Sequence, residues 1–308
     1  MNRCTPNRMT RGPSASLLVG VFAVAFAAAL LAACGGSGGD SSSSPSPTVA
    51  VTVTPSASPS PTTAPTVTPS PTTTLSLYFL RGEELGVAER RVPRTTMPAT
   101  AALTALLKGP SPAERAAGLT SAVPRGTRLL GLSIDGTTAR VDLSAQFAAG
   151  GGSLSMQARV AQIVYTLTRF PTIRAVDFML DGALVETLGG EGLMLQAGQT
   201  RADWRDFEPA IFVESPGVGA VLGSPFALSG TASVFEGSFQ ARLVDADGGE
   251  LAGATIQASR GAPDRGRYRK SITFATTATK GELIVYSQSM EDGSRQNEVR
   301  IPVSLRQD

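Results

Sequence analysis

The chain has 308 residues, with 33 Gly, 21 Pro and only 6% aromatic side chains, enough length for two small domains with many turns rather than one large core. It contains no histidine, and its two cysteines, Cys4 and Cys34, both lie near the start. Ser-His-Asp triads, Cys-His dyads and histidine-bearing zinc sites are therefore excluded, and the body beyond Cys34 has neither a disulfide nor a thiol nucleophile. The formal charge is +2, but Arg3, Arg8 and Arg11 sit in a leader-like segment; without them the remaining basic residues nearly balance the 25 acidic ones. No basic stripe interleaved with aromatics occurs, which removes nucleic acid from the expected partners.

Residues 1–33 read as a signal peptide: a basic stretch to Arg11, then an apolar run from Leu17 to Leu31. That run is about 15 residues, short of the ~20 that a helix needs to span the hydrocarbon layer. The junction Leu31-Ala32-Ala33-Cys34-Gly35 resembles the bacterial lipobox. The resemblance implies a diacylglyceryl group on the Cys34 sulfur, cleavage after Ala33, and an extracytoplasmic protein held to the cell membrane by its acyl chains. Two other readings stay open, an ordinary signal peptide with an incidental cysteine and an uncleaved membrane segment.

Residues 34–74 are almost entirely Gly, Ser, Pro and Thr with the single charge of Asp40, a composition that cannot offset the entropy of ordering. A disordered, extended stalk is expected there, also compatible with O-glycosylation.

Residues 75–200 carry alternating strand and helix signals. Leu75 to Leu80 and Ala88 to Pro93 read as strands, and Pro98 opens a helix with Leu103, Leu106 and Leu107 on one face before Gly109-Pro110. Ser111 and Glu114 form a capping box for a short second helix. Arg128 to Ile134 and Thr138 to Leu143 flank an Asp135-Gly136 turn. A long helix with Ser153 as N-cap follows, with Met156, Val160, Ile163, Val164 and Leu167 in one stripe, and then a strand placing Val176, Phe178 and Leu180 inward before Asp181-Gly182. The expected fold is α+β, a mixed sheet with two helices on one face. The segments Leu106-Leu107-Lys108-Gly109-Pro110, Gly118 to Pro124, Gly126-Thr127, Val141 to Ser144 and Gln162 to Thr168 resemble the GerMN domain of sporulation and spore-germination proteins. The resemblance implies a ring-building type of fold that mediates assembly beside membranes, with self-association among its outcomes and no enzyme activity.

Trp204 to Pro209 reads as a connector, with Trp204 packing at the junction of two domains. Residues 207–306 then hold seven short strand signals: Ile211–Glu214, Phe226–Thr231, Ser238–Val244, Thr255–Ala258, Tyr268–Phe274, Leu283–Ser287 and Glu298–Leu305. They point to an immunoglobulin-like sandwich without its usual disulfide. Val213 to Pro216, Leu228 to Ala232, Phe235-Glu236 and Asn297 to Val303 resemble the immunoglobulin-like domain of bacterial spore-germination proteins, a family of binding or adhesive modules.

Three groups of residues could carry chemistry. Asp245, Asp247, Gly248 and Glu250 mimic the opening of a calcium loop, but the twelfth position is Ile256, so a hairpin turn is expected and no metal site. Gly189, Gly190 and Gly192 lack the Lys-Ser or Lys-Thr of a phosphate loop and read as a turn. Glu114, Asp142, Asp177 and Glu186 could supply a glycosidase-type pair, the chemistry open to a protein without histidine, though nothing in the sequence brings two of them together. No catalytic residue and no cofactor is therefore assigned. The expected role is a lipid-anchored envelope protein making protein contacts, with peptidoglycan or surface-polysaccharide binding and a carbohydrate enzyme as alternatives.

Overall fold

The computed structural model describes residues 71–190 and 192–306. The leader, Cys34 and the stalk up to residue 70 lie outside the described residues. Contacts gather Thr66–Asp308 into one unit made of two lobes. No helix among the described residues is long and apolar enough to cross a membrane.

The first lobe begins with β1 (Thr72–Arg81) and β2 (Glu84–Pro93), an antiparallel hairpin turned at Gly82, whose φ of +64° suits a residue without a Cβ. Leu77, Tyr78, Phe79 and Leu80 are all buried, the pattern of a strand covered on both faces. Helix α1 (Pro98–Leu107) starts with Pro98 in its first turn and gives way at Gly109, which sits at φ +78°. Helix α2 (Pro112–Ala116) has the expected capping box, with the Glu114 amide donating to Ser111 Oγ and the Ser111 amide to Glu114 Oε2. Strand β3 (Leu119–Thr120) then pairs with the free side of β1.

A second sheet runs in the order β4-β5-β6-β7, from β4 (Leu129–Asp135), β5 (Thr138–Leu143), β6 (Ala175–Leu180) and β7 (Ala183–Leu184). Strands β5 and β6 are parallel, joined through α3 (Ser153–Leu167). The Asp181-Gly182 turn has both residues at positive φ, 45° and 84°, the geometry that such a dipeptide supplies. A small hairpin of β8 (Thr187–Leu188) and β9 (Leu193–Met194) follows, with Gly189 and Gly192 in its turn.

Two expectations are corrected. The lobe has two main sheets besides the β8–β9 hairpin, not one, because α3 is buried on nearly every side from Ala158 to Leu167 and must be covered from two directions, by β1 and by β6. Ser153 is the first helical residue; the N-cap is Gly152, in an extended conformation. The last turn of the preceding loop is instead held by Arg159, which is 1% exposed and donates to the carbonyls of Phe147, Ala149 and Gly150.

The second lobe is a sandwich. One sheet has the order β10-β12-β15 and the other β11-β17-β16-β13-β14. Their ranges are β10 (Ile211–Ser215), β11 (Val221–Leu222), β12 (Phe226–Ala232), β13 (Ser238–Asp245), β14 (Glu250–Gln257), β15 (Gly266–Ile272), β16 (Lys280–Gln288) and β17 (Arg295–Leu305). All seven expected strands are present. The additional β11 is two residues long and pairs parallel to β17, too short to leave a periodic signature. Strand β14 begins five residues before its expected start, at Glu250, because Leu251 to Ala254 form a half-exposed edge with little alternation. Between the sheets, Phe239 meets Tyr268 edge-on at 4.9 Å, and at one end of the β12–β15 pair Phe226 meets Phe274 at 5.9 Å.

Candidate functional site

The most elaborate constellation lies where the lobes meet. Tyr78 of β1, Tyr165 of α3 and Phe212 of β10 form an aromatic triangle with ring centroids 5.6 to 6.0 Å apart. Arg201, from the short 3-10 helix Arg201–Phe207, stacks over both tyrosines and is fixed by four acceptors. It donates to Glu214 Oε1 at 2.5 Å, Tyr78 Oη at 3.2 Å, the Tyr165 carbonyl at 3.2 Å and Thr168 Oγ1 at 2.8 Å. Tyr78 donates in turn to Glu214 at 2.7 Å. Beside this group, Glu208 accepts from Tyr165 Oη at 2.7 Å and pairs with Arg265 at 3.0 Å.

The backbone joins the lobes as well. The Glu89 amide donates to the Val218 carbonyl and the Val218 amide to the Val87 carbonyl, each at 2.8 Å, so β2 and the loop after β10 form a short parallel bridge. Gly217 makes this approach possible, since a Cβ there would stand 2.9 Å from the Val87 carbonyl oxygen. Its amide is taken by the Glu89 carboxylate at 3.0 Å.

Burial and pairing set the charge states. Burial pushes the Glu214 carboxyl up, but the charge of Arg201 and the hydrogen bonds from Tyr78 and Arg201 outweigh it and leave the group below its ordinary value. Burial raises the Tyr78 hydroxyl strongly, against the pull of Arg201. At Glu89, burial prevails over the Gly217 amide, and the carboxyl is raised. The cluster is a hydrogen-bonded clamp in which Arg201 and Glu214 neutralise each other.

The residues singled out from the sequence are spread across both lobes. Asp245 turns the β13–β14 hairpin, its Oδ1 accepting from the Asp247 and Gly249 amides, while Glu250 pairs with Arg242; the expected turn is what stands there. Glu114 is a bidentate partner of Arg90 as well as a helix cap. Asp142 accepts from the Gly182 amide. Asp177 and Glu186, which no motif links, line one hollow of about 570 Å³ with Arg140, Leu184 and Met194. Asp177 is already committed there, to the Gly198 amide at 2.7 Å and to Arg140 at 3.8 Å. Trp204 is buried beside Phe207, in the 3-10 helix that packs on α3 and β2. Sequence reasoning missed Tyr78, Arg201 and Glu214, which lie more than 120 positions apart at their extremes and share no local motif.

A larger hollow, about 990 Å³, opens between β2 and α2 on one side and β13, β16 and β17 on the other. Within its charged lining Arg90 pairs with Glu114 and Arg300 with Glu282, and Glu89, Asp245, Arg242 and Lys280 line it as well.

Residues 76–186 match the family model described as Germane, sporulation and spore germination, and residues 210–294 match that of the immunoglobulin-like domain of bacterial spore germination. The chain joins a GerMN domain to a spore-germination immunoglobulin-like domain. Neither description names a catalytic activity. Among solved structures, the chain is similar to the tandem GerMN domains of the sporulation protein GerM from Bacillus subtilis, at 18% identity and a TM-score of 0.40, over 66% of this chain and 62% of that one. The first GerMN domain of that protein aligns at 22% identity and a TM-score of 0.36, over 42% of this chain and 99% of that one. A Clostridium perfringens chain provisionally described as a lipoprotein aligns at 22% identity and a TM-score of 0.33, over 44% of this chain and 93% of that one. The chain thus spans somewhat less than two thirds of the tandem GerM structure. No curated protein matches.

Proposed function

We propose that this protein is a non-enzymatic component of the cell envelope, held outside the cytoplasm by a diacylglyceryl group on Cys34, whose GerMN and immunoglobulin-like domains act as one body making protein contacts in a sporulation, germination or envelope assembly. The observation that carries this reading is the union of the two family domains by a buried Arg201–Glu214–Tyr78 clamp and a main-chain bridge at Val218. Tandem domains in one chain move against each other by default unless their interface is extensive. A junction that desolvates an arginine and pairs backbone across the domains holds the outer surfaces of both at fixed spacing, which suits a scaffold. The lipobox-like Leu31 to Gly35 supports the anchor.

The test has two arms. Mass spectrometry of the mature protein should find an acylated amino terminus at Cys34, and Cys34→Ala should release the protein from membranes or stall its processing. Crosslinking in intact cells should recover envelope proteins. An unmodified mature start, or turnover of a cell-wall glycan by the purified protein, refutes the proposal.

A further inference from the structure

We infer that the groove along the open edge of β4 is a docking site for an extended, acidic segment of a partner polypeptide. Strand β4 ends its sheet and pairs on one side only, with β5. Asp135 and Thr138 close the hairpin, so along the ladder the backbone groups of Gly131, Ser133 and Asp135 face β5. Those of Leu132 and Ile134 face the open edge; at Leu130 the register shifts and the alternation is interrupted. An unpaired edge is a template for one more strand unless something blunts it. Nature often blunts edges with proline, an inward charge or a bulge; β4, Leu129–Asp135, has a register shift between Leu129 and Gly131, but from Gly131 to Asp135 it pairs in regular register, with no proline and no charge before its last residue.

The space beside this edge is a hollow of about 1010 Å³ between β4 and α1. Its charged lining is of one sign: Lys108, Arg115, Arg125 and Arg128, with no carboxylate. All four are exposed, and among the described residues none forms an ion pair; Arg115 donates only to the Pro110 carbonyl. This sets the groove apart from the hollow between the domains, whose lining holds Glu89, Glu114, Asp245 and Glu282 beside its cations. Met97, 63% exposed, and Leu130, 47% exposed, add apolar surface to the same walls. A ligand that satisfies edge amides, cations and apolar patches together is a polypeptide strand in which carboxylates and aliphatic side chains alternate. A polyanion or an anionic lipid surface would use the cations but would gain nothing from the strand edge. The exposed basic side chains of edge strand β15, Arg267, Arg269 and Lys270, serve as a control, a basic sheet edge away from this groove.

The inference rests on the protein-contact reading above and gives it a partner chemistry. The test is fluorescence anisotropy with the full chain and a labelled heptapeptide of alternating glutamate and valine. Binding in the micromolar range is expected, weakened at least ~10-fold by Arg125→Glu with Arg128→Glu and unchanged by Arg267→Glu with Arg269→Glu. On the unaltered protein, N-methylation of alternate peptide amides should remove binding in one of the two phases and spare it in the other, which reads strand pairing without depending on any variant. Absence of binding, equal loss from the β15 pair, or indifference to N-methylation overturns the inference. So does tighter binding of phosphatidylglycerol vesicles or polyphosphate at the same arginines. Envelope crosslinks mapped to other faces would survive those outcomes, so a failed groove and a failed protein-contact role are distinguishable.

Discussion

Replacing Arg201 with methionine should destabilise the protein by about 3–4 kcal/mol, and the reason can be followed atom by atom. Methionine keeps most of the apolar stem over Tyr78 and Tyr165 but removes the cation facing Glu214. Breaking a buried pair by deleting one partner costs about 3–5 kcal/mol, because the remaining charge is stranded. The Arg201 and Glu214 side chains keep 28% and 20% of their exposure, which places this pair at the lower end, near 3 kcal/mol. The Tyr165 carbonyl and Thr168 Oγ1 also lose a donor, and the stacking over two rings is lost, together about 1 kcal/mol more. For a folded unit of this size each kcal/mol lowers Tm by about 2–4 °C, so a fall of roughly 10 °C is expected by calorimetry.

Adding Glu214→Gln to Arg201→Met should restore about 2 kcal/mol, since the amide oxygen still accepts from Tyr78 while the stranded charge disappears. The pH dependence has a definite sign. The Glu214 carboxyl is lower in the folded protein than in the unfolded chain, so its stabilisation is complete above the unfolded value of about 4.3 and is lost as pH falls through the folded value. Glu214→Gln should remove that part of the acid-induced loss. A cost below about 1 kcal/mol for Arg201→Met, or no recovery in the double variant, refutes the assignment of the clamp.

At Glu89 the sign is reversed: its carboxyl is raised in the fold, so stability falls as pH rises from the unfolded to the folded value and the penalty stays constant above it. Glu89→Gln, which still accepts from Gly217, should therefore stabilise the protein by up to about 1 kcal/mol at pH 7 and by nothing near pH 3, read from urea midpoints. Arg159→Lys should cost about 2–3 kcal/mol although it keeps the charge, because a single ammonium cannot reach the carbonyls of Phe147, Ala149 and Gly150 together; hydrogen exchange across residues 145–152 should rise with it. Gly230→Ala should cost more than about 3 kcal/mol, since its Cβ would stand 1.9 Å from the Phe212 carbonyl oxygen and force β10 from β12. Gly223→Ala, with open space around it, should change stability by less than about 0.5 kcal/mol in a chemical denaturation series.

Local physics made much of this fold readable. Pro98 and Gly109 bound α1, Ser111 and Glu114 start α2, and the Asp135-Gly136 and Asp181-Gly182 turns lie where the dipeptides stand, because each signal is satisfied within a few residues of itself. The division of the first lobe into two sheets was not readable. Helix α3 presents a clean apolar stripe, yet its other faces carry Arg159, Gln162 and Thr166, polar by type and buried by context. Gln162 bridges the Tyr78 carbonyl and the Ala122 amide, and Thr166 accepts from the Tyr78 amide, so these polar residues bind an irregular stretch of backbone that no period would reveal. One signal was available for the junction: the unbroken run Leu77-Tyr78-Phe79-Leu80 is too apolar for a strand with a wet face. It shows that something must cover Tyr78, though not that Phe212, Arg201 and Glu214 do so.

The clamp also explains why the surface charges of the domains divide as they do. Arg201, Glu208, Glu214 and Arg265 are drawn into the junction and cancel there, which leaves each domain's exterior to be set by residues outside it. Beside the domain interface Arg90 is paired with Glu114, and such a pair adds little beyond holding its own loop. Along β4 the cations are not paired, and Lys108, Arg125 and Arg128 face solvent beside open backbone. Unopposed like charges cost a fold some self-repulsion and give its core nothing in return. On the docking proposal that cost is offset by a partner's carboxylates, so Arg125→Glu with Arg128→Glu should leave the folded protein no less stable while it loses the peptide.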